Sequence, residues 1–187
     1  MKSLTTHLDA GIQSCTSCPL HNVICNFENG KMLGFGVGRD VLVVGQNPSQ
    51  VRYGFGGYGM DWTDAPENTS AWFLGKILKD VSWPMERTYF TNLVKCSTED
   101  NAEPNEESLD KCVRNWFSQE YLITTPKLVV CLGNFVYDYL TFMDGDKKKF
   151  DFMKNATIKK VYHHAYIARF PDKYDEWRLQ WEMIGVS

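Results

Sequence analysis

The 187-residue chain predicts an α/β fold: a single domain with three αβα layers and a central, mostly parallel four-stranded sheet. Three observations carry this expectation. The runs Val41-Leu42-Val43-Val44 and Leu128-Val129-Val130-Cys131-Leu132 lack polar alternation, as strands covered on both faces do. Each run stops at a glycine, Gly45 or Gly133. Segments of helical spacing separate the runs, which is the pattern of a parallel sheet built from βαβ units.

The elements follow in order. Residues 3–14 form a short helix leading into Cys15-Thr16-Ser17-Cys18-Pro19. The glycine-rich stretch 26–40 reads as a loop or short hairpin, and 41–45 is the first clear strand. Segment 50–69, QVRYGFGGYGMDWTDAPENT, is aromatic and glycine-rich without a period, which marks a long functional loop. Thr69 or Ser70 caps a helix over 71–80, where Trp72, Phe73, Ile77 and Leu78 recur at helical spacing. A second strand covers 88–94 and a helix lies around 105–121. Pro126 precedes the third strand, 128–132, and a helix over 134–142 follows it. The fourth strand, near 157–162, ends in His163-His164, and the tail 171–183 is an amphipathic helix. No repeat or domain boundary interrupts the chain, so 1–187 reads as one domain, expected to be a monomer.

Composition narrows the function. Hydrophobic residues at 43% and charged residues at 23% are ordinary for a globular protein, and a net charge of −3 excludes a globally basic nucleic-acid binder. Lysines do gather locally, at Lys147-Lys148-Lys149, Lys154, Lys159 and Lys160, and such a stripe can hold a phosphate backbone. The N-terminus lacks a signal-peptide apolar region and no stretch reaches membrane-span length, so a cytoplasmic protein without membrane contact is expected. In that compartment the six cysteines read as thiols or metal ligands rather than disulfides.

Two constellations carry chemistry. Gln46-Asn47, the aromatic loop, Asn92 and His163 all sit at strand ends or in loops. In a parallel sheet the carboxyl ends share one edge, so these groups can converge across a crevice. Cys15 and Cys18 have metal-ligand spacing, with Cys96 after the second strand and Cys112 in the following helix. Four thiolates suit either zinc or an iron–sulfur cluster, and spacing does not choose between them. Cys131, inside LVVCLG, reads as a core residue, and Cys25 is a substitute ligand.

Cys15-x-x-Cys18, YFTNLVKC at 89–96, Cys112, PKLVVCLG at 126–133 and YHHAYIAR at 162–169 stand in an order and spacing that resembles the uracil-DNA glycosylase superfamily, most closely its iron–sulfur family four. The resemblance runs over most of the chain. It implies a DNA repair glycosylase that flips uracil from single- or double-stranded DNA and hydrolyses its N-glycosidic bond, leaving an abasic site. It also implies that Cys15, Cys18, Cys96 and Cys112 hold a structural [4Fe–4S] cluster, with zinc the second candidate. The turn Gly45-Gln46-Asn47-Pro48-Ser49 matches the motif that places the attacking water, with Gln46 and Asn47 as catalytic groups and Gly45, Pro48 and Ser49 on the substrate side. Family four typically has Gly-Glu-Ala-Pro-Gly there. Asn47 instead matches mismatch-specific and single-strand-selective relatives, and an amide orients water without deprotonating it unless Asp61 or Asp64 assists. Asn92 matches the reader of the uracil edge, and Phe55, with Tyr58 as its competitor, matches the ring stacked on the flipped base. His163 matches the histidine that bonds O2 of the departing base. His164 stands where the family has proline and, with Ala165 and Arg169, would meet DNA; an imidazole there could hold phosphate more strongly at lower pH. Two other functions fit the same residues. One is a glycosylase-like DNA-binding protein with little or no turnover, which Asn47, Ser49 and His164 motivate; the other is a glycosylase for a modified pyrimidine such as a 5-substituted uracil.

Overall fold

Residues 5–23, 33–49, 65–141, 150–153 and 155–185 are described by a computed structural model of the chain. The predicted strands appear as β2 (Val41–Gly45), β3 (Thr88–Asn92), β4 (Leu128–Leu132) and β5 (Thr157–Val161), all parallel. A fifth strand, β1 (Phe35–Gly36), adds antiparallel to β3, giving the order β1-β3-β2-β4-β5. The sheet therefore has five strands rather than the expected four. Two residues are too few to show a period, which is why β1 is invisible in the sequence. Gly36 takes φ +109° with the Thr88 carbonyl against its Cα, a place where a side chain has no room.

The helices are α1 (Thr6–Ser14), α2 (Ser70–Asp80), α3 (Glu106–Cys112), α4 (Ser118–Thr124), α5 (Asn134–Thr141), α6 (His164–Arg169) and α7 (Tyr174–Ile184). Side-chain caps set three of their starts, the third being His163 at α6. Thr69 Oγ1 accepts from Trp72 N, and Asn105 Oδ1 accepts from Ser108 N at 2.9 Å. Between α3 and α4 the helix widens into a π-helical turn, Val113–Phe117. A π turn carries an extra residue and shifts the faces after it. Val113 and Phe117 stay in the core while Asn115 and Trp116 reach the cysteines.

Alternation along the strands builds the three layers. Val41, Val43, Phe90, Val130 and Leu132 pack under α2, α6 and α7 through Phe73, Ile77, Ile167, Trp177 and Trp181. Leu42, Val44, Tyr89, Val129 and Cys131 pack on the other face with Leu109, Phe117, Val136 and Leu140. Cys131 is fully buried there, as its apolar setting predicts, and burial pushes its thiol up to about 12. The order reverses at β2, whose neighbours β3 and β4 lie on opposite sides, so its carboxyl end is a switch point where open α/β sheets form crevices.

One ion pair sits inside this frame. Lys95 is 1% and Glu120 0% exposed, and Lys95 Nζ meets Glu120 Oε2 at 2.5 Å. Nζ also donates to Thr91 Oγ1 and to the Asn92 carbonyl at 2.7 Å, while Glu120 accepts from Thr91 Oγ1 at 2.7 Å and from the Tyr89 hydroxyl at 3.4 Å. Glu120→Ala should cost about 3–5 kcal/mol because Lys95 then keeps a buried charge without its counterion. The double change Lys95→Met with Glu120→Leu should cost much less, and unfolding midpoints of the two variants measure the difference.

Candidate functional site

β2 ends where Gly45 pairs with Asn92 of β3, and the chain then turns through Gln46, Asn47, Pro48 and Ser49. The turn is stitched to β3, since Gly45 and Gln46 carbonyls accept from Leu93 and Val94 amides at 2.9 and 3.0 Å. Both hydrogens of the Asn47 amide nitrogen are used: it donates to the Pro48 carbonyl and to Thr98 Oγ1, each at 3.1 Å. The Thr98 hydroxyl in turn donates to the Ala102 carbonyl, so its oxygen can only accept from Asn47. That chain of bonds sets which way the amide faces. Nδ2 points to Thr98 and Oδ1 is the acceptor left for other partners.

His163 follows β5 and is the N-cap of α6, where its Nδ1 accepts the Ala165 N–H at 3.1 Å. Its ring stacks on His164 with centroids 4.1 Å apart. Burial, with the Arg169 charge second, pushes the His163 pKa down to about 4. At neutral pH the ring is therefore neutral, and because Nδ1 accepts, the proton sits on Nε2. Gly133, at the end of β4, has φ +91°, and a Cβ there would lie 3.2 Å from His163 Cβ. The glycine that stops β4 thus also makes room for the imidazole.

These groups meet. Gln46, Asn47, Ser49, Ser70, His163, His164, Ala165, Tyr166 and Arg169 line one cavity of about 360 Å³. Among the described lining residues none is a carboxylate, and Arg169 is the charged group. Of the residues expected from sequence, all but Gly45, Pro48 and Asn92 among those described lie on this wall. Gly45 and Pro48 are buried in the turn itself, and Asn92 is buried one strand away, its carbonyl held by Lys95. Phe55, Tyr58, Asp61, Asp64, Cys25, Lys147-Lys148-Lys149 and Lys154 lie outside the described residues. The expectation for His164 needs correction. The ring is 1% exposed, beneath His163 rather than out at a phosphate, and burial holds its pKa well below 6.5. The segment expected to be a wedge loop is the helix α6, begun by the His163 cap. Sequence reading missed Ser70, Tyr166, Thr98 and Gly133. Thr98 stands in no motif, and Ser70 and Tyr166, though read as a helix cap and as part of YHHAYIAR, show their place at the cavity only through the fold.

The second constellation also converges. Cys15, Cys18, Cys96 and Cys112 line one small cavity with Ser17, His21, Lys95, Lys111, Asn115 and Trp116. Cys112 Sγ accepts the Lys95 N–H at 3.2 Å, and Cys15 Sγ accepts from Trp116 Nε1 at 3.4 Å. Burial pushes the Cys112 thiol up to about 12, so a bound cation is what would make it a thiolate. Among the described residues no set of three or more His, Cys, Asp or Glu side chains is gathered as a metal-binding group. The donor set around the cavity, four soft sulfurs with N–H donors aimed at two of them, nevertheless suits a thiolate-bound metal group, zinc or an iron–sulfur cluster alike.

The model of the uracil DNA glycosylase superfamily matches residues 35–184, a span that holds the whole described sheet and the Asn47–His163 cavity. The chain belongs to that superfamily. It is similar to the type-4 uracil-DNA glycosylase of Archaeoglobus fulgidus, with 24% identity over 190 residues, covering 93% of this chain and 88% of that protein. The four-versus-five-strand difference leaves the α/β fold of the family intact. No helix among the described residues is long and apolar enough to cross a membrane.

The tautomer argument can be checked without an activity assay. Nitrogen-resolved NMR of the His163 ring should show a neutral Nε2–H form from pH 8 down to about 5, titrating near 4. Because the folded pKa lies below the ordinary 6.5, the unfolded chain takes up a proton there that the folded chain refuses. The stability this group contributes is full above about 6.5 and is lost as pH falls toward 4. A ring titrating near 6.5 would show that the imidazole is not held neutral.

Proposed function

We propose that the chain is a monofunctional DNA glycosylase that takes a flipped uracil into the Asn47–His163 cavity and hydrolyses its N-glycosidic bond. What supports the reading most is that Asn47, after the central strand β2, and His163, after the edge strand β5, share one wall, each fixed by a neighbour. The N1–C1′ bond breaks with its electron pair left on the base. His163 Nε2–H, the donor that the Ala165 bond leaves free, hydrogen-bonds the base O2 as charge gathers there. Water adds to C1′ while Asn47 Oδ1 orients it, then loses its proton to solvent, giving free uracil and an abasic sugar. A neutral amide suffices because the cleaving sugar is cation-like and needs only a weak nucleophile. Gln46 and Ser49 border the water side, and Arg169, exposed at the cavity mouth, meets phosphate. Asn92, buried at the end of β3 and off this wall, is assigned to the base edge by the family likeness alone. Ala165 lies against the strand at the start of α6, and DNA containing uracil is the partner.

The four cysteines Cys15, Cys18, Cys96 and Cys112 would hold a [4Fe–4S] cluster. When bound it supplies four metal–sulfur links that join the N-terminal segment to the end of β3 and to α3. The purified protein should then be brown, absorbing near ~400 nm as thiolate-bound iron clusters do, and Cys112→Ser should bleach it and lower the unfolding midpoint. A colourless protein carrying zinc would remove the iron assignment.

Cleavage of uracil-containing oligonucleotides, read as alkali-labile sites, tests the activity. Asn47→Ala and His163→Ala should each lower kcat by about 10²–10³-fold and change DNA affinity far less. Thr98→Val, which keeps the shape and removes the acceptor that turns Asn47, should lower kcat about tenfold with KM unchanged, and Thr98→Ser should restore it. No alkali-labile sites from the unmodified protein would end the enzymatic reading.

A further inference from the structure

We propose that Tyr162, Tyr166 and Phe170 form a stacking platform for the unpaired bases of a single DNA strand, beside the cavity where Asn47 and His163 meet. This inference rests on the DNA-directed reading of that cavity. The three residues are spaced by four along the chain, so they stand above one another on one face of α6 and its lead-in. Ring centroids are 5.1 Å apart from Tyr162 to Tyr166 and 4.9 Å from Tyr166 to Phe170, and the planes are tilted by 52° and 43°. Rings splayed in this way do not close on one another, and each outer ring keeps a face for another partner.

Exposure separates this ladder from the core aromatics. Tyr162 is packed against the buried cluster under α2, its backbone N–H bonds Gln180 Oε1 at 2.8 Å, and its hydroxyl is held by Glu176. Tyr166 is 37% and Phe170 48% exposed, among the large apolar side chains that face solvent. The ladder thus runs from a pinned inner rung to an open outer one. Tyr166 lines the cavity itself, which makes the platform continuous with the site. Arg169 stands between the two outer rungs, so a cation lies where a backbone threading past the rings would pass, while Lys173 is ion-paired with Glu176 at 3.3 Å. Aromatic faces alternating with cations are the chemistry of single-strand grooves, where every base has a π-face to offer. In a duplex those faces are buried in the stack, so the platform acts on unpaired strands.

The test is fluorescence anisotropy with a uracil-free oligonucleotide, single-stranded and as duplex, so that it does not depend on cleavage. Phe170 is varied because it lies outside the cavity wall. Phe170→Ala should weaken single-strand binding about tenfold and leave duplex binding within about twofold. Phe170→Trp should bind single strands as well as the unmodified protein or better, and Phe170→Leu, with bulk but no π-face, should resemble the alanine variant. Three results would overturn the platform. They are a Phe170→Ala protein that binds single strands normally, one that loses single strands and duplex equally, and a leucine variant that behaves like phenylalanine. If the ladder variants behave as expected while uracil is not released from any substrate, the glycosylase reading fails and the platform stands.

Discussion

The structure turns on a charge placed where water cannot reach it. Lys95 sits inside the protein at the end of β3, and its ammonium is tolerable there only because Glu120, Thr91 and the Asn92 carbonyl surround it. Glu120 comes from α4 and the other two partners from β3, and the backbone N–H of Lys95 reaches Cys112 Sγ. A shift of β3 by one residue, or of α4 by part of a turn, would strand a buried charge at a cost of several kcal/mol. The pair therefore fixes the position of β3 against the helix layer more sharply than apolar packing does, since apolar contacts tolerate small slides.

With β3 held, the edge that carries the candidate site follows. Gly45 pairs with Asn92, the turn after it hangs from Leu93 and Val94, and Thr98, a few residues further along the same chain, turns the Asn47 amide. On the other side β4 ends at Gly133, whose missing side chain admits His163. Each reacting group is thus braced by the strand next to its own. The electrostatics agree with that arrangement. Two histidines kept neutral by burial and one arginine, with no carboxylate on the described wall, leave a face without negative side chains, as the proposed anionic leaving group would need.

What could be read in the sequence was what local chemistry writes there. Val41–Val44 and Leu128–Leu132 had to be strands, because an unbroken apolar run that short has no other comfortable home, and their glycine stops lie where predicted. Asn47, His163 and the four cysteines were legible as motifs, and the fold brings the first two to one cavity and the cysteines to another. What escaped depends on partners distant in the chain. Nothing near Thr98 says that its hydroxyl will be spent on Ala102 and so made an acceptor for Asn47. His164 is expected to meet phosphate because it stands where the family has proline, yet capping by His163 starts a helix that turns it inward. β1 was too short to have a pattern, and the π turn after Cys112 adds its residue without any signature of glycine or proline.

The placement of the two cavities bears on what a group held by the cysteines could do. Among the described residues their walls have no member in common, so such a group cannot touch a base seated against His163. Val94 and Lys95 connect the two regions: Val94 lines the cysteine cavity and its N–H bonds the carbonyl of Gln46 on the other wall, while Lys95 bonds Cys112 through its N–H and holds the Asn92 carbonyl through its ammonium. Ordering Cys112 and Cys96 therefore orders the end of β3, on which Asn92 and the Gly45 turn both depend. The N-terminal helix α1 has a small core contribution, Leu8 and Ile12, and Cys15 and Cys18 directly follow it. Sulfur ligation would supply the attachment that so little buried apolar surface cannot. A brace of this kind would need no electron transfer, and it fits thiols that line a wall apart from Asn47 and His163.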